Sequence, residues 1–190
     1  MCVRILGIVL LVGCQSGGSE RALAPPIPRV ESAAKPAVPA IRVHVDVSLV
    51  SAPEVMAGIR VWERATIGWR TWALAGPATA NATIMEVPTW EGYCTDPGYP
   101  IAGCATDVGG LDDAVAPSAK IYLVRGSYEG AIRLVVIHEL GHALGLTHQD
   151  GTVMQQHPTP LIWDVTWTCP DPVTLLRLEW RTGHRFDCQE

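Results

Sequence analysis

Basic side chains are scarce in this chain: 14 Lys and Arg stand against 19 Asp and Glu, a formal net charge of −5. That balance gives no reason to expect nucleic acid or an anionic membrane as a partner. Phenylalanine occurs once against seven tryptophans, so the aromatic packing of core and cleft walls falls to Trp, with no cofactor implied. No apolar run approaches the roughly 20 residues that span a bilayer. Histidine is missing between His44 and His138, and no C-x-x-C pair accompanies the histidines, which makes a thiolate zinc site improbable on spacing.

What remains is enough for one good core. A chain of 190 residues, 48% hydrophobic, suits a single globular domain better than two. Arg4 followed by the apolar run 5–12 has the form of a targeting segment, and Leu11-Val12-Gly13-Cys14 has the form of a bacterial lipobox. The expectation is a lipoprotein signal peptide over 1–13 and a lipid anchor on Cys14; an ordinary secretory signal with a coincidental cysteine is the alternative. Residues 14–40 then form a flexible, anchored linker, with prolines at 25, 26, 28, 36 and 39. Extended, it reaches about 85 Å at about 3.3 Å per residue. The location implied is the cell envelope, outside the cytoplasm. Export leaves Cys94, Cys104, Cys169 and Cys188, an even set for an oxidising compartment. Three pairings are open, and loop closure favours Cys94–Cys104 with Cys169–Cys188.

The folded part is expected over 41–190. Ile41, Val43, Val45, Val47 and Leu49 alternate with polar residues, among them His44, and predict a half-buried strand over 41–50. Ser51 to Glu54 has the form of a capping box opening a helix with Val55, Ile59 and Trp62 on its inner stripe and Gly68 at its end. Further strands are predicted over 69–74, 82–87 and 120–124, and the stretch 88–117 is loop-rich. Ser127 and Glu129 suit the start of a helix whose buried side includes Ile132, Val135, Val136 and Leu140. Asp171-Pro172 starts a last helix, with Val173, Leu176 and Trp180 as its apolar stripe and Gly183 as its stop. His184 is expected at the surface beyond it, and the class is α+β.

The most constrained stretch is 138–148, H-E-x-x-H-x-x-G-x-x-H. His138 and His142 are four apart, so on a helix they share a face and can hold one metal ion. Gly145 can take positive φ and turn the chain so that His148 reaches the same ion. Three imidazoles leave a fourth zinc position open, the mark of a catalytic site. Glu139 is not needed as a ligand, so its carboxylate is free to take a proton from water. Chance or structural histidines remain the competing explanation, but five constrained positions coincide here.

This stretch, with Met154 after it, resembles the metzincin clan of zinc endopeptidases, and in size and element order its matrixin branch and bacterial relatives. The resemblance implies a twisted mixed sheet, an active-site helix, a Met-turn and a C-terminal helix. It implies zinc on His138, His142 and His148, Glu139 as catalytic base and acid, Met154 under the metal, and a peptide or protein substrate taken by a monomer. It also implies an edge strand near 103–108 that pairs with substrate, and a specificity loop over 155–168 with Trp163 and Trp167 as walls. Two departures stand out: Gln149 matches none of the residues that the clan's families place after the third histidine, and the loop histidines of the matrixin structural zinc are missing. The linker is too short for a folded inhibitory prodomain and carries no cysteine switch. Asp96, Asp107, Asp112 and Asp113 are candidate calcium ligands, against ordinary turn chemistry. Asp150 is either an acceptor for a ligand imidazole or a turn residue. Two other functions share these features: a lipid-anchored binding or adhesion protein with a structural metal, and a hydrolase of cell-wall peptides. The free carboxylate of Glu139 argues against the first.

Overall fold

In the computed structural model, residues 38–95, 101–109, 118–126, 131–156 and 168–188 are described. The expectations for Cys14, the signal segment and the linker up to residue 37, for Asp96, Asp112 and Asp113, for Ser127 and Glu129, and for Trp163 and Trp167 lie outside them. The elements run β1 (Ile41–Asp46), α1 (Ala52–Ala65), β2 (Trp72–Leu74), β3 (Ala82–Val87), β4 (Gly103–Thr106), β5 (Ala119–Val124), α2 (Ile132–Ala143) and α3 (Pro172–Thr182). The class is α+β, a mixed five-stranded sheet with three helices among the described residues, compatible with a small metzincin-like domain.

Strand order is β2-β1-β3-β5-β4. The first four strands are parallel, and β4 joins β5 antiparallel at the edge. Ile84, Ile121 and Leu123 on the central strands are fully buried, as continuous cover of a parallel sheet requires. Helices α1 and α2 pack together closely because Gly58 has no side chain: a Cβ there would lie 2.7 Å from Val136 Cγ1. Next to it Trp62, fully buried, donates its indole N–H to the Ile137 carbonyl at 2.8 Å. The predicted stripe Val55, Ile59, Trp62 is indeed the buried one.

Several local expectations are corrected. β1 stops at Asp46, and Leu49 is 92% exposed, because Ser48 to Ser51 turn instead of continuing the strand. Ser51 occupies the N-cap position, but its hydroxyl caps nothing. It donates to Glu86 Oε1 at 3.3 Å, while Glu54 pairs with Arg133 of α2 at 2.9 Å, so the capping box is not formed. Helix α1 ends at Ala65, and Gly68, with φ +82°, serves the turn beyond it. On α3 the structure reverses the predicted face. Thr174 and Leu178 are buried, whereas Val173, Leu176 and Trp180 are 49%, 63% and 89% exposed. His184 is half-buried, its ring 5.7 Å from that of Trp69.

Both favoured disulfides are present: Cys94–Cys104 clips the loop before β4, and Cys169–Cys188 closes the two ends of the α3 segment. They suit an oxidising, extracytoplasmic compartment. No described helix is long and apolar enough to cross a membrane.

Glu86 holds the β1–α1 turn. Its carboxylate, with a side chain only 6% exposed, accepts from the Ser48 N–H at 2.9 Å and lies 3.6 Å from Arg125. Burial alone would raise its pKa, but the Ser48 bonds, with Arg125 and Ser51, outweigh it and hold the group below the ordinary glutamate value. A depressed folded pKa adds stability above the unfolded pKa that is lost as pH falls through the folded one. Glu86→Gln is therefore expected to cost about 1–2 kcal/mol at pH 7. In urea melts the gap to wild type should close below the ordinary glutamate range; a gap constant with pH would contradict this account.

Candidate metal centre

Helix α2 presents the first two histidines. Leu134, Val136, Ile137 and Leu140 are buried against the sheet and α1, so the helix is fixed before its C-terminal turn reaches the site. The stop is a Schellman motif: Leu146 N–H donates to Gly141 O at 2.9 Å, Gly145 N–H donates to His142 O at 2.7 Å, and Gly145 takes φ +76°. This reverses the chain and brings exposed His148 over the helix. The loop then closes, with Gln149 N–H donating to Met154 O at 2.9 Å and Met154 fully buried against Gly141 of α2. Gly141 makes room for it: a Cβ there would collide with Met154 Sδ and lie 3.3 Å from Trp62 Cζ2.

The three rings converge. His142 Nε2 is 3.1 Å from His138 Nε2 and 3.2 Å from His148 Nε2. The His138–His142 approach is not a hydrogen bond, for a reason of proton bookkeeping. His138 Nδ1 lies 2.9 Å from the Val153 carbonyl and His142 Nδ1 lies 2.8 Å from the Leu146 carbonyl. A carbonyl only accepts, so both Nδ1 atoms carry the proton and both Nε2 atoms are left with lone pairs. Lone pairs facing one another across 3.1 Å call for a shared cation. Bonds of about 2.0–2.1 Å in a tetrahedron put nitrogens about 3.3–3.4 Å apart, close to the spacing found. His138, His142 and His148 can thus hold a metal ion, and no other such His/Cys/Asp/Glu group occurs among the described residues.

The electrostatics point the same way. Burial, then the charge of His142, pushes the His138 pKa down to about 3, against the Val153 bond. Burial likewise lowers His142, against its bond to Leu146. Both are held neutral, the form that ligates metals. Burial raises Glu139 to about 8, opposed by a backbone hydrogen bond from Ala105 on β4. Glu139 is packed there because β4 comes close: a Cβ on Gly103 would lie 2.8 Å from Val135 Cγ1 and 3.5 Å from Glu139 Cγ.

The structure therefore brings together His138, His142 and His148, while Glu139 is buried against β4 and Met154 is buried against Gly141. Asp150 is exposed in the turn after His148, and the acceptors for the His138 and His142 imidazoles are backbone carbonyls. Asp107 pairs with Lys120 at 2.8 Å, which supports turn chemistry there rather than a calcium site. His44 sits on β1 with its Nδ1 3.2 Å from the Ala75 carbonyl, away from the cluster.

Two supporting residues were missed from the sequence. Asp171 caps α3 by accepting from Thr174 N–H at 2.9 Å, as its position predicts. Its second oxygen also accepts from Val153 N–H at 2.9 Å, which steadies the residue whose carbonyl orients His138. Arg177 donates to the carbonyl and hydroxyl oxygens of Thr147, next to His148, at 2.9 and 2.7 Å. An Asp-Pro helix start signals the first bond of Asp171 but nothing signals the second. Asp171→Asn keeps an acceptor for the cap and puts an amide donor in place of one acceptor oxygen. Zinc affinity is expected to fall about tenfold, at the low end for groups behind a ligand. A competition titration checks it, and unchanged affinity would remove Asp171 from the account.

No protein-family model matches the chain, and no curated protein matches it either.

Proposed function

We propose that this chain is a zinc-dependent endopeptidase of the metzincin type, with Glu139 as its general base and Met154 as its Met-turn. The observation that carries the reading is the convergence of three imidazoles at the end of α2, with buried Glu139 next in sequence to the first of them and packed against the edge strand β4. Zinc, when bound, would polarise the scissile carbonyl and make water nucleophilic near neutral pH. The chain's own residues would do the rest. The outer edge of β4 would pair with extended peptide and hold the scissile bond beside Glu139. The Glu139 carboxylate would take one proton from the attacking water and return it to the departing amine nitrogen, leaving its own protonation unchanged over the cycle. The buried side of α2, Met154 and the two carbonyl acceptors would keep the imidazoles from reorganising as charge develops.

The tether through Cys14 and a place in the cell envelope belong to the same reading, and the two disulfides support export. Cleavage of an unfolded protein is expected to stop on chelation and to return with added zinc. Cleavage that persists after metal removal would overturn the proposal. So would a zinc-loaded protein that cleaves nothing, which would favour a binding protein.

A further inference from the structure

Among the described residues, the outer face of α3 is left without a partner by the reversal described above. Val173, Leu176 and Trp180 fall at i, i+3 and i+7, so all three lie on one side of the helix, and Trp180 is 89% exposed. A fully presented tryptophan above a leucine and a valine is costly to keep in water and marks an interaction face. Arginine borders it: Arg181 and Arg185 are exposed at the C-terminal end of the same helix and just beyond. The one acid of α3, Glu179, has a carboxylate oxygen turned to the Phe186 N–H at 2.7 Å.

The point where the chain enters the fold lies at this same end. Arg70 donates to the Pro39 carbonyl at 3.1 Å and lies over the ring of Trp69, and Trp69 packs on His184 and Phe186, directly after α3. A chain arriving at Val38 therefore comes in beside the tail of α3. Ahead of it in sequence are the linker, Cys14 and the apolar run 5–12.

We infer that the Val173–Leu176–Trp180 face, with Arg181 and Arg185, docks the domain on a phospholipid bilayer. The tryptophan and leucine would enter the boundary between headgroups and acyl chains, and the guanidinium groups would meet lipid phosphates. With a net charge of −5 the molecule as a whole gains nothing from such a surface, so the arginine-bearing face decides the orientation. Through Arg177 and Thr147 the docked helix is bonded to the loop that carries His148, which would hold the metal centre in a set relation to the bilayer. The inference does not depend on hydrolysis, since its test reads lipid contact alone.

The full chain is incorporated into vesicles of phosphatidylcholine, with or without phosphatidylglycerol, whose acyl chains are brominated near the headgroup. Tryptophan emission is compared between wild type and Trp180→Phe, a change at an exposed site that the fold should tolerate. The expected result is quenching on the order of one-seventh of wild-type emission, the share of one Trp among seven, stronger with phosphatidylglycerol and lost in Trp180→Phe. Arg181→Gln with Arg185→Gln should weaken the phosphatidylglycerol effect several-fold. Absent quenching, equal quenching in Trp180→Phe, or no effect of the arginine changes would overturn the inference. So would a lipid-independent dimer in sedimentation that shields Trp180, which would assign the face to a second copy of the chain.

Discussion

Glu139→Gln is expected to lower peptide cleavage by about 10²–10⁴-fold while leaving zinc content at the wild-type level. The amide has nearly the same shape, and its oxygen can still accept the backbone hydrogen bond from Ala105, so the packing of α2 against β4 is preserved. What it cannot do is take a proton from water. Thermal stability should not fall, because a neutral amide is buried more cheaply than a carboxylate. Cleavage rate, metal content by mass spectrometry and melting temperature on one preparation check all three parts. Residual activity near wild type would remove Glu139 as the base, and loss of zinc would make it part of the metal site instead.

His142→Ala has the second large effect, and on a different quantity. His142 is the middle histidine of the three, 3.1 and 3.2 Å from the other two Nε2 atoms, and its Nδ1–H also occupies the Leu146 carbonyl at the helix stop. Its removal leaves two imidazoles on opposite sides of an open gap and a carbonyl without its donor. Bound zinc is expected to drop from about one per chain to a small fraction. Wild type should gain about 2.7 kcal/mol of stability at a free zinc concentration 100-fold above Kd, and the variant almost none. Melting curves with and without zinc measure both; a variant that still holds stoichiometric metal would contradict the three-histidine centre.

The site was far more legible than the surfaces around it, for physical reasons. Metal binding requires particular side chains, and helical geometry converts the spacing of His138, Glu139 and His142 directly into a face. Gly145 was readable because only a left-handed turn brings His148 back, and that turn favours glycine. The carbonyls of Val153 and Leu146 were not readable, since every residue has one. β3 was found to the residue, bounded by Asn81 and Pro88, whereas β1 was overrun because Val47 and Leu49 continue the alternation through a turn that Glu86 organises from 35 positions away in the chain.

Helix α3 shows the limit most plainly. Its sequence offers two apolar stripes, one through Val173, Leu176 and Trp180 and another through Leu175 and Leu178, and the first has more apolar side chains. Burial follows the second because Asp171 binds both Thr174 and Val153, which fixes the rotation of the helix about its axis. A single carboxylate at the start of the helix thus decides which face meets the core.

The most direct test of the central claim is X-ray absorption at the zinc edge on purified, zinc-reconstituted protein, with metal counted per chain. The account predicts one zinc with three imidazole nitrogens and one further light ligand at about 2.0–2.1 Å, and loss of this signature in His142→Ala. Substoichiometric zinc, or zinc in a sphere without three imidazoles, would contradict it.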